Sequence, residues 1–285
     1  MKFSIKKKDI LGELQLFQGI VEKRNTMPIL ANILISVSGD ELELIGTDLE
    51  VGLKTHFPAK IEEPGAITIS GKKIFEIIRS LSEEKDVVFQ EGKEMMMEIT
   101  SGESEFKVLC LPKDDYPQVP DPKFEKNIIL PLDKIKEMID CVFCAIAQEQ
   151  RYYLNGALLI LKDQSVEMVS TDGHRLAYSK MDLEDLKLDD EIKGIVSRKT
   201  LGEIRKFEEE SIEFDLDENN LFFKVGNRTL ISRIIEGKFP NYDAVIPKDN
   251  PHTLTVCRTE IIDAIRRVSL LSAERSRGIR FSIDK

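Results

Sequence analysis

An internal repeat constrains this chain more than any other feature of its sequence. A short predicted strand (3–5) and an amphipathic helix (8–23) open a first unit, and the same order opens a second unit at 128–130 and 133–150. The first unit continues as PILANILISVSGDELELIGTDLEVGL and the second as YYLNGALLILKDQSVEMVSTDGHRLAYS. Alternating apolar and polar residues around the Gly39-Asp40 turn predict paired strands. The sequence therefore predicts two copies of one unit of helices and strands.

Three landmarks recur at nearly one spacing. Thr47-Asp48 corresponds to Thr171-Asp172, 124 positions later. The segment ITISGKKIFEIIRSL resembles GIVSRKTLGEIRKF, and each predicts a strand followed by an amphipathic helix. Tyr116-Pro117 closes the first unit and Phe239-Pro240 closes the second, 123 positions later. This agreement indicates a tandem duplication.

The pattern starts a third time after Pro251. The segment LTVCRTEIIDAIRRVSLLSAERSRGIRFSIDK predicts a strand, a helix and one further strand, so we expect a third unit that is cut short within a hairpin and has an unpaired edge. Prolines in PQVPDP (117–122) and PKDNP (247–251) favour extended linkers. The predicted domains are 1–122, 123–249 and an incomplete 250–285.

The predicted fold class is α+β, with two helices packed on antiparallel sheets in each complete unit. The 285 residues suffice for two domains and a piece, and the 41% of hydrophobic residues suffices for real cores. No segment approaches the roughly 20 apolar residues that a membrane span needs. The N-terminal residues lack the continuous apolar core of a signal peptide, so we predict a cytoplasmic protein with no membrane partner.

Two of the four cysteines, Cys141 and Cys144, form a C-x-x-C within the apolar run MIDCVFCAIA. Half a zinc site and a redox pair are the functional alternatives. There is no second C-x-x-C, and the three histidines are scattered along the chain. We therefore expect both thiols on the buried face of a helix, and we predict neither a metal nor a cofactor.

The net charge of −10 taken alone argues against binding to nucleic acid. The basic residues nevertheless follow the predicted helices, whereas much of the acidic excess falls elsewhere. A positive helix side could contact a phosphate backbone in a chain of negative net charge. Ordinary solvation of helix ends is the alternative, and no motif that reads bases is present.

Several motifs carry a more specific resemblance: NTMPIL and TDLE in the first unit, RYYLNG and TDGHRLA in the second, and FPNYDAVIP at its end. Together they resemble the bacterial sliding clamp family, the beta subunits of DNA polymerase III, in order along the whole chain. The resemblance implies the DNA-clamp fold, in which two subunits of three domains close head to tail into a ring around duplex DNA, with helices lining the hole. It also implies a non-catalytic processivity factor of the polymerase holoenzyme, located at the replisome in the nucleoid.

The resemblance implies sequence-independent DNA contacts in and beside the hole. For Lys73 the subunit interface is an alternative, and for the tyrosine pair half-buried packing is the alternative. The implied DNA-contact residues are Arg24, Lys73, Gln148, Tyr152, Tyr153, Arg198 and Lys199.

A hydrophobic cleft beside the TDGHRLA motif is implied in the same way. In the family it takes short linear motifs from the polymerase catalytic subunit, the clamp loader, other DNA polymerases and mismatch-repair proteins. The family's third domain completes the cleft with a C-terminal segment that this sequence lacks, so we expect a weakened cleft. Its implied residues are Arg151, Tyr153, Leu154, Thr171, Gly173, His174, Arg175, Leu176, Pro240 and Val245.

The Asp and His of TDGHRLA do not predict catalysis, because no nucleophile and no third orienting group accompany them. We expect Asp48 and Asp172 to cap the backbone of their own turns. An enzyme acting on nucleotides or DNA would need clustered acidic metal ligands or a glycine-rich phosphate loop, and neither is present. A scaffold that only displays the peptide cleft remains the other alternative.

The resemblance also implies a homodimer for a full-length chain, with core packing as the alternative role of each interface residue. We expect the present chain to stay monomeric or to aggregate instead of closing a ring. The implied dimer-interface residues are Ile77, Phe106, Leu270 and Leu271.

Overall fold

The computed structural model describes residues 1–21, 27–148, 150–272 and 278–283. Two compact units make up the chain, Met1–Pro240 and Asn241–Lys285. The first unit contains both complete repeats. Among the residues that the structure describes, no helix has the length and the apolar composition of a transmembrane span.

The first repeat begins with a strand that leads directly into a helix, and a second helix follows its sixth strand. Its described elements are β1 (Lys2–Lys6), α1 (Lys7–Ile20), β2 (Asn32–Ser38), β3 (Glu41–Thr47), β4 (Val51–Pro58), β5 (Lys60–Glu63), β6 (Gly65–Ser70), α2 (Gly71–Ser80), β7 (Asp86–Glu91), β8 (Met96–Ser101) and β9 (Ser104–Leu111).

The second repeat has the same order of elements, apart from a counterpart of the short β5. Its described elements are β10 (Ile128–Pro131), α3 (Leu132–Val142), β11 (Gly156–Lys162), β12 (Ser165–Thr171), β13 (Leu176–Asp182), β14 (Ile192–Ser197), α4 (Arg198–Ile204), β15 (Ser211–Leu216), β16 (Asn220–Val225) and β17 (Arg228–Arg233). The predicted duplication is confirmed.

The predicted helix over 133–150 is too long, because α3 ends at Val142 and a single 3-10 turn follows over Phe143–Ala145. The Ser170 hydroxyl donates to the Val142 carbonyl at 2.5 Å, and the Ala147 N–H bonds to the Leu154 carbonyl. The Val142 carbonyl and the Ala147 N–H would be paired within the helix if α3 were longer, but here they bond to residues outside it.

Antiparallel ladders join the strands into two sheets. The larger sheet has the strand order β10-β15-β16-β17-β4-β3-β2-β6-β9-β8-β7-β1-β5, and the smaller has the order β13-β12-β11-β14. The last strand of the second repeat, β17, pairs with β4 of the first repeat, in the register Arg228↔Thr55 to Ser232↔Val51. Backbone hydrogen bonds therefore connect the two repeats.

The helices bury apolar faces against the sheets. On α1 the fully buried residues include Ile10, Leu14 and Phe17, and on α2 they include Ile74 and Ile78. On α3 the buried stripe is Ile135, Met138, Ile139 and Val142. Burial of apolar surface contributes about 25 cal/mol per Å², so these faces stabilise the packing of the helices on the sheets.

The four helices of the first unit form one row of neighbours. Helix α1 packs against α2. At the C-terminus of α1, the Lys199 ammonium of α4 donates to the Ile20 carbonyl at 3.0 Å. Arg205, which caps the C-terminus of α4, forms an ion pair with Asp140 of α3 at 2.8 Å. The order of contacts is therefore α2, α1, α4, α3, which places the helices of both repeats on a common side.

The TD turns have the same hydrogen-bond pattern in both repeats. Asp48 accepts from the N–H groups of Glu50 and Val51 at 2.9 and 2.7 Å. In the second repeat the corresponding aspartate, Asp172, accepts from two backbone N–H groups at 3.0 Å each. The residue after each aspartate has a positive φ, 78° at Leu49 and 84° at Gly173. The predicted backbone-capping role of both aspartates is confirmed.

The second unit contains α5 (Arg258–Ser269). The strands predicted on both sides of this helix are wrong for its described residues, since 252–257 and 278–283 form no ladder. A strand needs a neighbouring strand to pair its N–H and C=O groups. Ile262, Ile265 and Val268 of α5 are exposed.

Candidate nucleic-acid interface and peptide cleft

A groove of about 820 Å³ lies between the end of α3 and the beginning of α4, on the side where the helices meet. It collects four of the seven residues predicted to contact DNA, namely Gln148, Tyr152, Arg198 and Lys199. The segment that follows α3 and the first turn of α4 thus bring together residues that lie about 50 positions apart in the sequence. Other residues lining the groove are Phe143, Ala147, Gln150, Asn155, Gly202, Glu203 and Lys206.

Arg198 is held rigidly at the start of α4. The Ser197 hydroxyl caps this helix by accepting from the Thr200 N–H at 3.1 Å. The Arg198 guanidinium lies 4.2 Å from the centre of the Phe143 ring and donates to the Phe143 and Ile146 carbonyls at 3.4 Å. Arg205 approaches the same ring at 5.2 Å. The Phe143 ring, which lines the groove, therefore interacts with two cations, of which Arg198 also lines the groove.

Phe143 was not among the predicted site residues. Its signal in the sequence is weak, because an aromatic residue at the end of an amphipathic helix usually belongs to the core. Only the distance to the two arginines shows its role.

Lys199 and Lys206 add positive charge to the groove, and both have acidic partners. Lys199 forms an ion pair with Asp48 of the first repeat, in addition to its bond to the Ile20 carbonyl, and its side chain is 30% exposed. Lys206 forms an ion pair with Glu203 at 2.7 Å and is 45% exposed. Lys199 therefore joins the repeats as well as lining the groove, and Lys206 offers the more accessible ammonium.

The neighbouring tyrosines have different surroundings. Tyr152 is 75% exposed and lines the groove. Tyr153 is half-buried and lies against Gly237, where an added Cβ would come within 2.9 Å of the Tyr153 Cβ. Gly237 has a φ of 133°, which only glycine adopts easily. The structure therefore separates Tyr153 from the groove.

The two remaining predicted DNA contacts lie elsewhere. Lys73 is exposed in the first turn of α2, a helix that the Ser70 hydroxyl caps at 3.4 Å. Arg24 lies outside the described residues.

The predicted peptide-cleft residues of the first unit differ in exposure. Leu154 and Thr171 are buried, whereas Gly173, His174 and Arg175 are exposed. Two further predicted residues differ in their surroundings, since Leu176 is half-buried and Pro240 is exposed. Val245 is 67% exposed and lies in the second unit.

The Asp172 carboxylate organises this turn. The N–H groups of His174 and Arg175 donate to it and, together with the charge of Arg175, hold its pKa below the ordinary value of 3.8. The Arg151 guanidinium donates to the Asp172 carbonyl at 3.3 Å. A second groove, of about 500 Å³, extends from Asp172, His174 and Arg175 to Arg198. The turn and the basic groove are therefore adjacent.

The predicted dimer-interface residues fall into two groups. Ile77 and Phe106 are half-buried and pack against the main core of the first unit. Leu270 and Leu271 follow α5 in the second unit and are 82% and 95% exposed.

The predicted burial of the C-x-x-C pair is wrong, because Cys141 and Cys144 are both exposed. The buried stripe of α3 runs through Met138, Ile139 and Val142, and Cys141 lies off that stripe. Within the described residues, no group of three or more His, Cys, Asp or Glu side chains could hold a metal ion.

The duplicated helix-on-sheet unit, the row of helices and the basic groove beside it define a protein of the DNA-clamp class. Comparison with known proteins gives the family. The family model for the DNA polymerase III beta subunit, N-terminal domain, matches residues 1–120, and the model for its central domain matches residues 129–241.

Curated relatives and solved structures agree with this match. A beta sliding clamp of Pseudomonas aeruginosa is 34% identical over 99% of this chain and 78% of its own length. A beta sliding clamp of Caulobacter vibrioides is 35% identical over 100% of this chain and 78% of its own length. The crystal structure of the Pseudomonas aeruginosa sliding clamp bound to griselimycin superposes with a TM-score of 0.90 and 33% identity, over 97% of this chain and 76% of that one.

This chain belongs to the DNA polymerase III beta subunit family. It is a sliding clamp, the non-catalytic processivity factor of DNA polymerase III in bacterial DNA replication. The predicted family, clamp fold and non-catalytic function are confirmed. Its partners are DNA and proteins that bind sliding clamps.

Proposed function

We propose that the groove beside α4 contacts the phosphate backbone of duplex DNA. The observation that carries the proposal is the convergence of Gln148, Tyr152, Arg198 and Lys206 in one groove along the helix row. Cations and hydrogen-bond donors in such a groove neutralise phosphates without reading bases. Several weak, sequence-independent contacts suit a protein that slides along DNA.

A full-length chain forms a ring as a homodimer. Its clamp domains are 1–122, 123–249 and the beginning of a third at 250–285. Ile77 and Phe106 on the first domain meet Leu270 and Leu271 on the third domain of the second subunit. The exposure of Leu270 and Leu271 supports this assignment, since two adjacent apolar side chains in water are favourable sites for burial.

The cleft at the Thr171 turn binds short extended peptides of the polymerase catalytic subunit, the clamp loader, other DNA polymerases and mismatch-repair proteins. The half-buried Leu176 offers apolar surface beside the exposed polar groups of His174 and Arg175, and Leu154 and Thr171 are buried. This combination is typical of a peptide-recognition cleft. The site of action is the replisome in the nucleoid.

Equilibrium binding to duplex DNA tests the groove. Replacement of Arg198 by Gln removes one cation, so we expect weaker binding to every DNA sequence. The slope of the logarithm of the binding constant against the logarithm of the salt concentration should also become smaller in magnitude by about one. Lys206→Gln should act in the same direction. The matched control is Lys224→Gln, which removes an exposed cation from a sheet strand and should leave both quantities unchanged.

Equal effects of Arg198→Gln and Lys224→Gln would refute the assignment of the groove. Ring closure needs a separate test with a chain that carries the full third unit. Such a chain should stay on circular DNA and leave the same DNA after linearisation. Equal loss from both forms would contradict encirclement.

A further inference from the structure

The linker after the first repeat lies in a groove of that repeat. The groove is lined by the first TD turn and the start of β4 on one side and by Pro117–Pro120 on the other, with Ile231 and Arg233 of β17 at its end. Its remaining free volume is about 80 Å³. The linker therefore forms one wall of this groove.

Three anchors hold the linker there. The Tyr116 hydroxyl accepts from the Thr47 N–H at 3.2 Å and lies 3.1 Å from the Asn32 carbonyl, and the Tyr116 side chain is buried. At the other end of the segment, the Asp121 carboxylate forms an ion pair with Lys54 of β4, whose side chain is only 7% exposed. An anchor on each side of an extended segment fixes its register along the groove.

Val119 is the third anchor and lies between the other two. It is half-buried, and a Cβ added to Gly52 would come within 3.2 Å of its Cγ1 atom. Gly52 thus leaves room on the strand surface for one valine-sized side chain. This arrangement is the usual one for an extended peptide bound in a groove, with a small pocket for an apolar side chain between polar contacts.

The second repeat carries the same turn without these anchors. Through the repeat spacing, the positions that correspond to Tyr116, Gly52, Lys54 and Asp121 are Phe239, Leu176, Tyr178 and Ala244. Phenylalanine has no hydroxyl and alanine has no carboxylate, and leucine takes up the space that glycine leaves. The hydroxyl, the glycine and the carboxylate that hold the first linker are therefore replaced at the corresponding positions of the second repeat.

We propose that the first repeat contains a second peptide-binding groove and that the linker is its resident ligand. The ligand class is an extended peptide with a valine-sized side chain flanked by proline and a carboxylate two positions further on. The proposal rests on the proposed peptide cleft of the second repeat only where the linker anchors of the first repeat are compared with the corresponding positions of the second. The groove itself is argued from the contacts of the linker.

A short peptide with the linker sequence tests the proposal in trans. A tethered segment competes at an effective concentration of about 1 mM, so the labelled peptide PQVPDP should bind the parent chain poorly. Val119→Gly removes the side chain that fills the pocket. Fluorescence anisotropy should then show binding of the peptide at least about tenfold tighter than to the parent.

Two controls locate the binding. The peptide PQGPDP, which lacks the valine, should not distinguish the variant from the parent. In the Val119→Gly background, Gly52→Val places an isopropyl group in the same pocket and should abolish the gain. Val119→Ala gives the same test with a smaller change in side-chain volume. A cooperative thermal unfolding transition for each variant shows that the variant is folded.

Equal affinity of PQVPDP for the parent and for both Val119 variants would overturn the proposal. A gain that survives Gly52→Val would also overturn it, because the peptide would then bind elsewhere. These outcomes are independent of the second-repeat cleft, since Val119 and Gly52 both lie outside it. If the linker peptide fails to bind as expected, the proposed function of the second-repeat cleft is therefore unaffected.

Discussion

The ion pair between Arg228 and Glu13 joins the two repeats, and its removal should be costly. Arg228 on β17 donates to the Glu13 carboxylate of α1 in three contacts at 2.6, 3.0 and 3.2 Å. The Glu13 side chain is only 9% exposed, and its other donor is the Thr55 hydroxyl at 2.9 Å. Arg228 also forms an ion pair with the more accessible Glu209.

Replacement of Arg228 by Met leaves the buried Glu13 carboxylate with a single neutral donor. Loss of one partner of a buried ion pair costs about 3–5 kcal/mol. The double variant Glu13→Met/Arg228→Met removes both charges, so its unfolding free energy should return to within about 2 kcal/mol of the parent. The two changes should therefore show a coupling of about 2 kcal/mol or more in a double-mutant cycle.

Urea unfolding followed by far-ultraviolet circular dichroism measures these free energies. The matched control is Lys224→Met, which breaks a 3.3 Å pair with Glu213 where the lysine side chain is 45% exposed. That change should cost no more than about 1 kcal/mol. An Arg228→Met variant as stable as the Lys224→Met variant, or a double variant no more stable than Arg228→Met, would refute the reasoning.

Two further predictions follow from burial and hydrogen bonding. Burial raises the pKa of the Cys110 thiol to about 11, so a thiol reagent at neutral pH should modify Cys141, Cys144 and Cys257 in the folded protein and Cys110 only after unfolding. Modification of Cys110 at the rate of the other three would contradict its burial. The pKa of Asp172 is lowered in the fold, so the stabilisation that its charge gives the turn is present above pH 3.8 and is lost as the pH falls through the lowered pKa. The amide resonance of His174 should therefore titrate with a midpoint below 3.8, and a midpoint at or above that value would show that the turn does not stabilise the carboxylate.

Local sequence signals predicted the repeat and its turns well. The strand pairing around Gly39-Asp40 and the turns at Asp48 and Asp172 depend on residues within a few positions of each other. Such contacts are set by side chains that bond to their own backbone, so the sequence alone reveals them. The clamp family was also predictable, because its motifs occur in order along the chain.

Features that depend on distant contacts were not predictable in the same way. The end of α3 depends on a hydrogen bond from Ser170, which lies 28 positions after Val142. The position of Phe143 between Arg198 and Arg205 became visible only in three dimensions. Lys199 was predicted only as a DNA contact, yet its ammonium bonds to Ile20, 179 positions away.

The exposure of Cys141 is a different case, because the sequence held the necessary signal. The stripe Ile135, Met138, Ile139 and Val142 has helical spacing and by itself fixes the buried face of α3. Cys141 does not continue that stripe. The prediction that Cys141 and Cys144 share the buried face of a helix was therefore wrong on the evidence of the stripe itself.

Site-specific photocrosslinking to duplex DNA tests most directly which side of the clamp contacts DNA. A benzophenone side chain at Tyr152, which is 75% exposed in the helix-side groove, is compared with one at Leu109, which is 64% exposed on β9. If the basic groove contacts the duplex, the Tyr152 position should give a crosslink with DNA of any sequence, and the Leu109 position should give none. Equal crosslinking from both positions, or crosslinking from Leu109 alone, would contradict the account.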